Sequence, residues 1–246
     1  HETKPDVVFA PHVETSAGVL LPKAYLETIS KAAHDVGAIF VLDCIASGCA
    51  WVDMKATGVD ILISAPQKGW SSTPSAGVVM LSNRAIEIVE NSNSNSFAID
   101  LKKWFSIMKT YENGGHAYHT TMPTDSLTHF RDTMLETQEY GFDKLYKNQW
   151  ELGNRVRDLL KSKNIKSVAA DGFRAPGVVV SSTSDENIHN GLKLNELGMQ
   201  IAAGVPLMCD EPKSFQTFRI GLFGLDKLYN VDRTIDKLEK AFDSVL

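Results

Sequence analysis

Two hydrophobic rhythms divide this chain. Short β-branched runs at 7–10, 38–42, 60–64 and 77–81 have the length and composition of buried strands. Between the first two, Leu26, Ile29, Ala32, Ala33 and Val36 recur at helical spacing, with Pro22 suited to the first turn and Gly37 to the stop. Strands alternating with helices predict a largely parallel sheet covered by helices. Residues 65–76 are too few for a helical crossover, so the last two strands should pair antiparallel. Lys68 then falls on the connecting turn, and a helix should follow over 83–89.

Beyond Asp100 the pattern lengthens into helices near 100–112, from about Thr124 to Tyr140, and from about Phe142 to Lys163. Strand-like runs follow at 165–169 and 177–182, then a helix over Glu186–Leu197, a short strand at 217–221 and a terminal helix from Val231. The predicted class is α/β: a large domain with a mostly parallel sheet over residues 1–150, then a smaller α+β domain over 151–246.

Composition narrows the function classes. The 246 residues are 43% hydrophobic, enough for a sizeable core, and a net charge of -5 without a basic stripe argues against nucleic acid as a partner. Cys44, Cys49 and Cys209 show no paired spacing, which fits a reducing cytoplasm rather than a disulfide scaffold. No stretch approaches the roughly 20 apolar residues of a membrane span. The opening His1-Glu2-Thr3-Lys4-Pro5-Asp6 lacks an initiator methionine and reads as the interior of a longer polypeptide.

The candidate chemistry gathers after the strands. Asp43 ends the run Ala38-Ile39-Phe40-Val41-Leu42, and Lys68 follows the run Asp60-Ile61-Leu62-Ile63. Adjacent parallel strands present their carboxyl ends on one edge, where open α/β sheets bind ligands. A lysine amine that can form a Schiff base and an acid that keeps a pyridine nitrogen protonated are the two groups pyridoxal 5'-phosphate requires. Thr15 or Ser16, after the first strand, could donate to the cofactor's ring oxygen or to Asp43, or simply cap a turn. Ile45 could press on a ring face or pack in the core, and Gln67 could meet a phosphate or satisfy turn backbone. His116 and His119 lie three apart in a loop bounded by Gly114-Gly115 and Pro123, an arrangement poorly suited to a metal. Arg219, in the otherwise apolar Phe218-Arg219-Ile220-Gly221, is either paired structurally or free to grip a carboxylate with two donors.

Six ordered segments together resemble the class V aminotransferases of the fold-type I pyridoxal phosphate enzymes, closest to the alanine:glyoxylate and serine:pyruvate group. They are Glu14-Thr15-Ser16-Ala17-Gly18, Asp43-Cys44-Ile45-Ala46-Ser47, Gln67-Lys68, Ser96-Phe97-Ala98-Ile99-Asp100, Tyr118-His119-Thr120-Thr121-Met122-Pro123 and Phe218-Arg219-Ile220-Gly221-Leu222. The resemblance implies transfer of an amino group from a small amino acid, of alanine or serine type, to a 2-oxo acid such as glyoxylate or pyruvate. It implies that Lys68 forms the internal aldimine and shuttles the proton, Asp43 holds the pyridinium and Ile45 packs beneath the ring. Thr15 would assist at the ring oxygen, Gln67 would lie by the phosphate, and Arg219 would bind the substrate carboxylate. Tyr118 and Thr121 would reach the phosphate of a partner subunit in a homodimer. The family's first part, with its glycine-containing phosphate loop and ring-stacking aromatic residue, has no counterpart in this sequence. A lyase or desulfurase on the same scaffold, or a truncated non-catalytic relative, is the alternative.

Overall fold

The computed structural model describes residues 2–246; His1, at the head of the opening segment, lies outside them. Strand β1 (Val7–Pro11) leads into a small hairpin, β2 (Val13–Glu14) and β3 (Val19–Leu20), then α1 (Lys23–Asp35) and β4 (Ile39–Asp43). After α2 (Met54–Thr57) come β5 (Ile61–Ser64), β6 (Val78–Leu81) and α3 (Asn83–Glu90). The main sheet runs β1-β4-β5-β6, its first two pairings parallel and the last antiparallel, as the short 65–76 connection requires. Residues 15–18 form the turn that the sequence allows, and the paired strands of the hairpin flank it.

α1 ends at Gly37, whose φ of +83° no side-chain-bearing residue adopts cheaply. Its Leu26 and Ala33 pack with Phe40, Leu42, Val59 and Leu62 on one sheet face. On the opposite face Val7, Phe9 and Val79 stay exposed. Asp60, itself buried, ties the layers together. Its carboxylate accepts from the Phe40 N–H (2.9 Å), the Arg84 guanidinium (2.8 Å) and the Ser82 hydroxyl (3.3 Å), and meets His34 Nε2 at 2.8 Å.

The second half begins with α4 (Leu101–Glu112), capped by Asp100 accepting from the Lys103 N–H, and continues with α5 (Thr124–Tyr140) and α6 (Phe142–Ser162). A three-stranded sheet follows, from β7 (Val178–Ser182), with α7 (Glu186–His189), α8 (Leu192–Asn195), β8 (Ala202–Ala203) and β9 (Thr217–Gly221). α9 (Leu225–Leu228) and α10 (Val231–Val245) close the chain. Leu152, Val156 and Leu160 of α6, Val179 of β7, Phe218 and Ile220 of β9, and Leu238 and Phe242 of α10 form the larger core. Each such side chain contributes about 2 kcal/mol when taken from water.

Two sequence expectations are corrected. The predicted strand at 165–169 makes only an isolated bridge, Ser167 to Ser181, because Gly172 at φ +86° and the Phe173-to-Ala170 turn carry the chain away. The predicted helix over Glu186–Leu197 is two single-turn helices, parted where Gly191 takes φ +80°.

Candidate active site

β4 and β5 are neighbours, with Asp43 opposite Ile63. Their carboxyl-end loops therefore leave the same sheet edge side by side. After β5, Ala65 and Pro66 are buried and the chain turns tightly, Ser71 N–H donating to Lys68 O and Ser72 N–H to Pro66 O. Gly69 presses directly on Gly48: a Cβ built on Gly69 would lie 2.4 Å from Gly48 O. The Cys49 thiol reaches Gly69 O at 3.9 Å across the same contact. Backbone thus meets backbone where the loop bearing Lys68 touches the turn that begins at Asp43.

That turn is itself held closely. Asp43 is exposed, and its Oδ1 accepts the Ile45 N–H at 2.9 Å. Gly48 stands at φ +61° with the Gln149 amide oxygen 2.7 Å from where a Cβ would sit. The Cys49 N–H donates to Gln149 Oε1 at 3.5 Å, and the Gln149 amide nitrogen donates onward to Pro176 O and Leu222 O, fastening the turn to the second half of the molecule. His12 donates its backbone N–H to Asp43 O (2.8 Å), and its Nδ1 lies 2.7 Å from Ser47 Oγ. Burial pushes the His12 imidazole down to about 4, so the ring is neutral at ordinary pH.

Lys68 is half-buried, its Nζ 5.6 Å from the centre of the Phe223 ring. Phe223 rests against Gly48 and Gly177, either of which would clash or crowd with a larger side chain. Ser71, at φ +58°, accepts the Leu225 N–H at 2.6 Å and latches the lysine loop to the segment carrying Phe223. A cavity of about 540 Å³ opens beside Lys68, walled by Gln67, Ser72, His129, Glu136, Phe223 and Tyr229 among others.

Of the sequence candidates, Gln67 and Lys68 line this cavity. Asp43 and Ile45 lie on the adjoining turn, and half-buried Thr15 lies beyond β2, whose Val13 shares an apolar cluster with Ala46 and Ala50. Arg219, on β9, donates from Nε to Ala203 O, and among the described residues no carboxylate lies within 4.0 Å of its guanidinium. Tyr118 and Thr121 stand apart on the exposed connection between α4 and α5, their oxygens 3.5 Å from one another. His119 is engaged with Phe97 O and with the Phe97 and Trp104 rings. Phe223 and the His12–Ser47 contact carry no sequence signature of their own. Only the glycines at 48 and 69 hinted that two backbones approach closely.

A family model described as aminotransferase class-V matches residues 2–222. The chain belongs to that family. It is 26% identical to the alanine-glyoxylate aminotransferase of Felis catus, an alignment covering 97% of this chain and 57% of that protein. It is 27% identical to the small subunit of the soluble hydrogenase of Synechococcus sp., covering 100% of this chain and 61% of the other. Among solved structures, the alanine-glyoxylate aminotransferase of Nostoc sp. superposes with a TM-score of 0.79 at 21% identity, over 98% of this chain and 63% of that one. The chain therefore spans about 60% of the length of these relatives. The fold is that of the fold-type I enzymes, in keeping with the class read from the sequence.

The residues present suit the cofactor the family resemblance implies. Among the described residues, the Ser72 hydroxyl on the cavity wall beside Lys68 is shielded from solvent and has no hydrogen-bond partner, and neither has Ser75 Oγ on the same loop. Lys68 has no acidic partner within 4.0 Å among the described residues. An unpaired amine, an exposed carboxylate on the neighbouring turn and unsatisfied hydroxyls make a donor set matched to a phosphorylated aldehyde.

Proposed function

We propose that this chain is the lysine-bearing part of a pyridoxal phosphate-dependent aminotransferase that moves an amino group from a small amino acid, of alanine or serine type, to a 2-oxo acid such as glyoxylate or pyruvate. One observation carries the reading: the loop of Lys68 and the turn of Asp43 are in backbone contact at Gly69 and Gly48 on the strand edge where such sheets take ligands. The name of the Felis catus relative supports this choice of acceptor.

When bound, the cofactor supplies a ring that accepts electrons. The Lys68 amine would hold it covalently and, once released, carry a proton to and from the substrate's Cα. Asp43 would keep the ring nitrogen protonated, and Ile45 would pack on the ring face. Thr15 would donate to the ring oxygen, and Gln67 would stand near the phosphate. The unpaired fork of Arg219 would take the substrate carboxylate.

Tyr118 and Thr121 would serve a partner subunit's phosphate. Supporting a homodimer, Phe97 (67%), Ile99 (75%), Met108 (61%) and Tyr118 (73%) are largely exposed on the same 97–121 stretch of chain. The division into a cofactor-holding part, residues 1–150, and a smaller part, residues 151–246, belongs to the same proposal, although α6 runs unbroken past residue 150. A cytoplasmic location fits the three unpaired cysteines, and no helix among the described residues is long and apolar enough to cross a membrane. A desulfurase on this fold needs a low-pKa thiol, whereas burial pushes Cys44 and Cys49 up to about 12 and Cys209 is also raised.

The test is borohydride reduction of the protein incubated with pyridoxal phosphate, followed by peptide mapping. The cofactor mass should appear on the peptide containing Lys68 and disappear in Lys68→Ala. Labelling elsewhere, or none, overturns the proposal.

A further inference from the structure

We infer that His12 and Ser47 form a positioning clamp that sets the direction of the Asp43 carboxylate. The inference rests on the proposed role of Asp43 and adds two residues to that site. His12 grips the Asp43–Ser47 turn at both ends. Its backbone N–H donates to Asp43 O at 2.8 Å, and its Nδ1 lies 2.7 Å from Ser47 Oγ. Both side chains are buried, His12 at 5% and Ser47 at 4% relative exposure. Between these two points lie Asp43 and Ile45, linked by the Oδ1 contact to the Ile45 N–H.

The clamp has anchors on either side. The His12 carbonyl accepts the Leu21 N–H at 2.9 Å, binding it to the end of the β2–β3 hairpin. The Ser47 carbonyl accepts the Ala50 N–H at 3.1 Å, and Gly48, the next residue, bears the Gly69 backbone of the lysine loop. A displacement of Ser47 therefore moves both the turn carrying Asp43 and the surface on which the Lys68 loop rests. Asp43 itself is exposed and has no cationic partner within 4.0 Å among the described residues, so its direction depends on the turn beneath it. A buried imidazole between two backbone segments also packs against them. The clamp is distinguished from packing alone by what happens when ring shape is kept and its nitrogens are lost.

The experiment compares the full chain with His12→Phe, Ser47→Ala, the double variant and His12→Asn, which returns a polar atom at the place of Nδ1. Amide hydrogen exchange over residues 43–48 and over α10 is read by mass spectrometry, and pyridoxal phosphate affinity by absorbance titration. His12→Phe and Ser47→Ala should each speed exchange over 43–48 and weaken the cofactor roughly tenfold, the equivalent of one lost hydrogen bond, with α10 unchanged. The double variant should be no worse than either single one, and His12→Asn should recover most of the loss. Unchanged exchange over 43–48, or an equal rise in α10, overturns the clamp. If the parent chain takes up no pyridoxal phosphate, the aminotransferase reading falls, and the clamp is upheld or overturned by the exchange result alone.

Discussion

Gly69→Ala is the sharpest test of how this site is built. The added methyl would lie 2.4 Å from Gly48 O, 2.7 Å from Gly48 C and 3.0 Å from Gly48 Cα, all of them backbone atoms. Because none is the tip of a flexible side chain, relief requires the two loops to part until the shortest contact grows from 2.4 Å past 3.0 Å. Gly48 cannot retreat freely, since Gln149 and Phe223 stand behind it. Overpacking of this kind costs about 1–3 kcal/mol. Gly77→Ala is the matched control. It lies on the same connection between β5 and β6, at a point where an added Cβ meets no atom of the described residues within 4 Å. Urea unfolding followed by circular dichroism should show a lower midpoint at constant slope for Gly69→Ala, and an unchanged or slightly raised midpoint for Gly77→Ala. Cofactor titration should weaken only in the former. Unfolding free energies for the two variants that agree to within about 0.5 kcal/mol would refute the claim that backbone contact joins the Lys68 loop to the Asp43 turn.

Acid should weaken the fold through His12, whose folded pKa of about 4 lies below the ordinary imidazole value of 6.5: between these values the unfolded chain binds a proton that the folded one refuses. The associated stability is full above pH 6.5 and declines toward pH 4, by at most roughly 3 kcal/mol, so urea midpoints should fall over that window more steeply in the parent than in His12→Phe. Gln149→Leu should destabilise the protein by about 2–4 kcal/mol, because the carbonyls of Pro176 and Leu222 lose their buried donor; calorimetry showing less than about 0.5 kcal/mol would contradict this. Arg219→Met should raise the KM for the amino acid roughly tenfold to a hundredfold while cofactor affinity stays put; an unchanged KM would remove Arg219 from the carboxylate site. Asp100→Ala should cost about 1 kcal/mol by uncapping α4, read from the thermal midpoint.

Much of the fold was legible because period and punctuation are local properties. The span of α5 follows from helical spacing between Pro123 and Gly141, and α1 stops where Gly37 lets φ turn positive. The antiparallel return of β6 followed from connection length alone. Where local signals misled, backbone conformation or neighbours had overruled them. Gly191 broke a helical run at one residue, and the 165–169 run left β7 after a single bridge.

The sequence by itself determined which chemical groups were available: an amine after one strand, a carboxylate after another and a guanidinium in a third, in an order that resembles one family. Only the tertiary structure decided which of them meet, and through what. The Gly48–Gly69 contact, Phe223 beneath Lys68 and the grip of His12 on Ser47 join residues 21, 155 and 35 positions apart. Hydrophobic periodicity reports whether a side chain is buried, not which distant segment buries it. That pairing is fixed when helices and sheets pack, where shape, a missing Cβ or one satisfied hydrogen bond selects the partner.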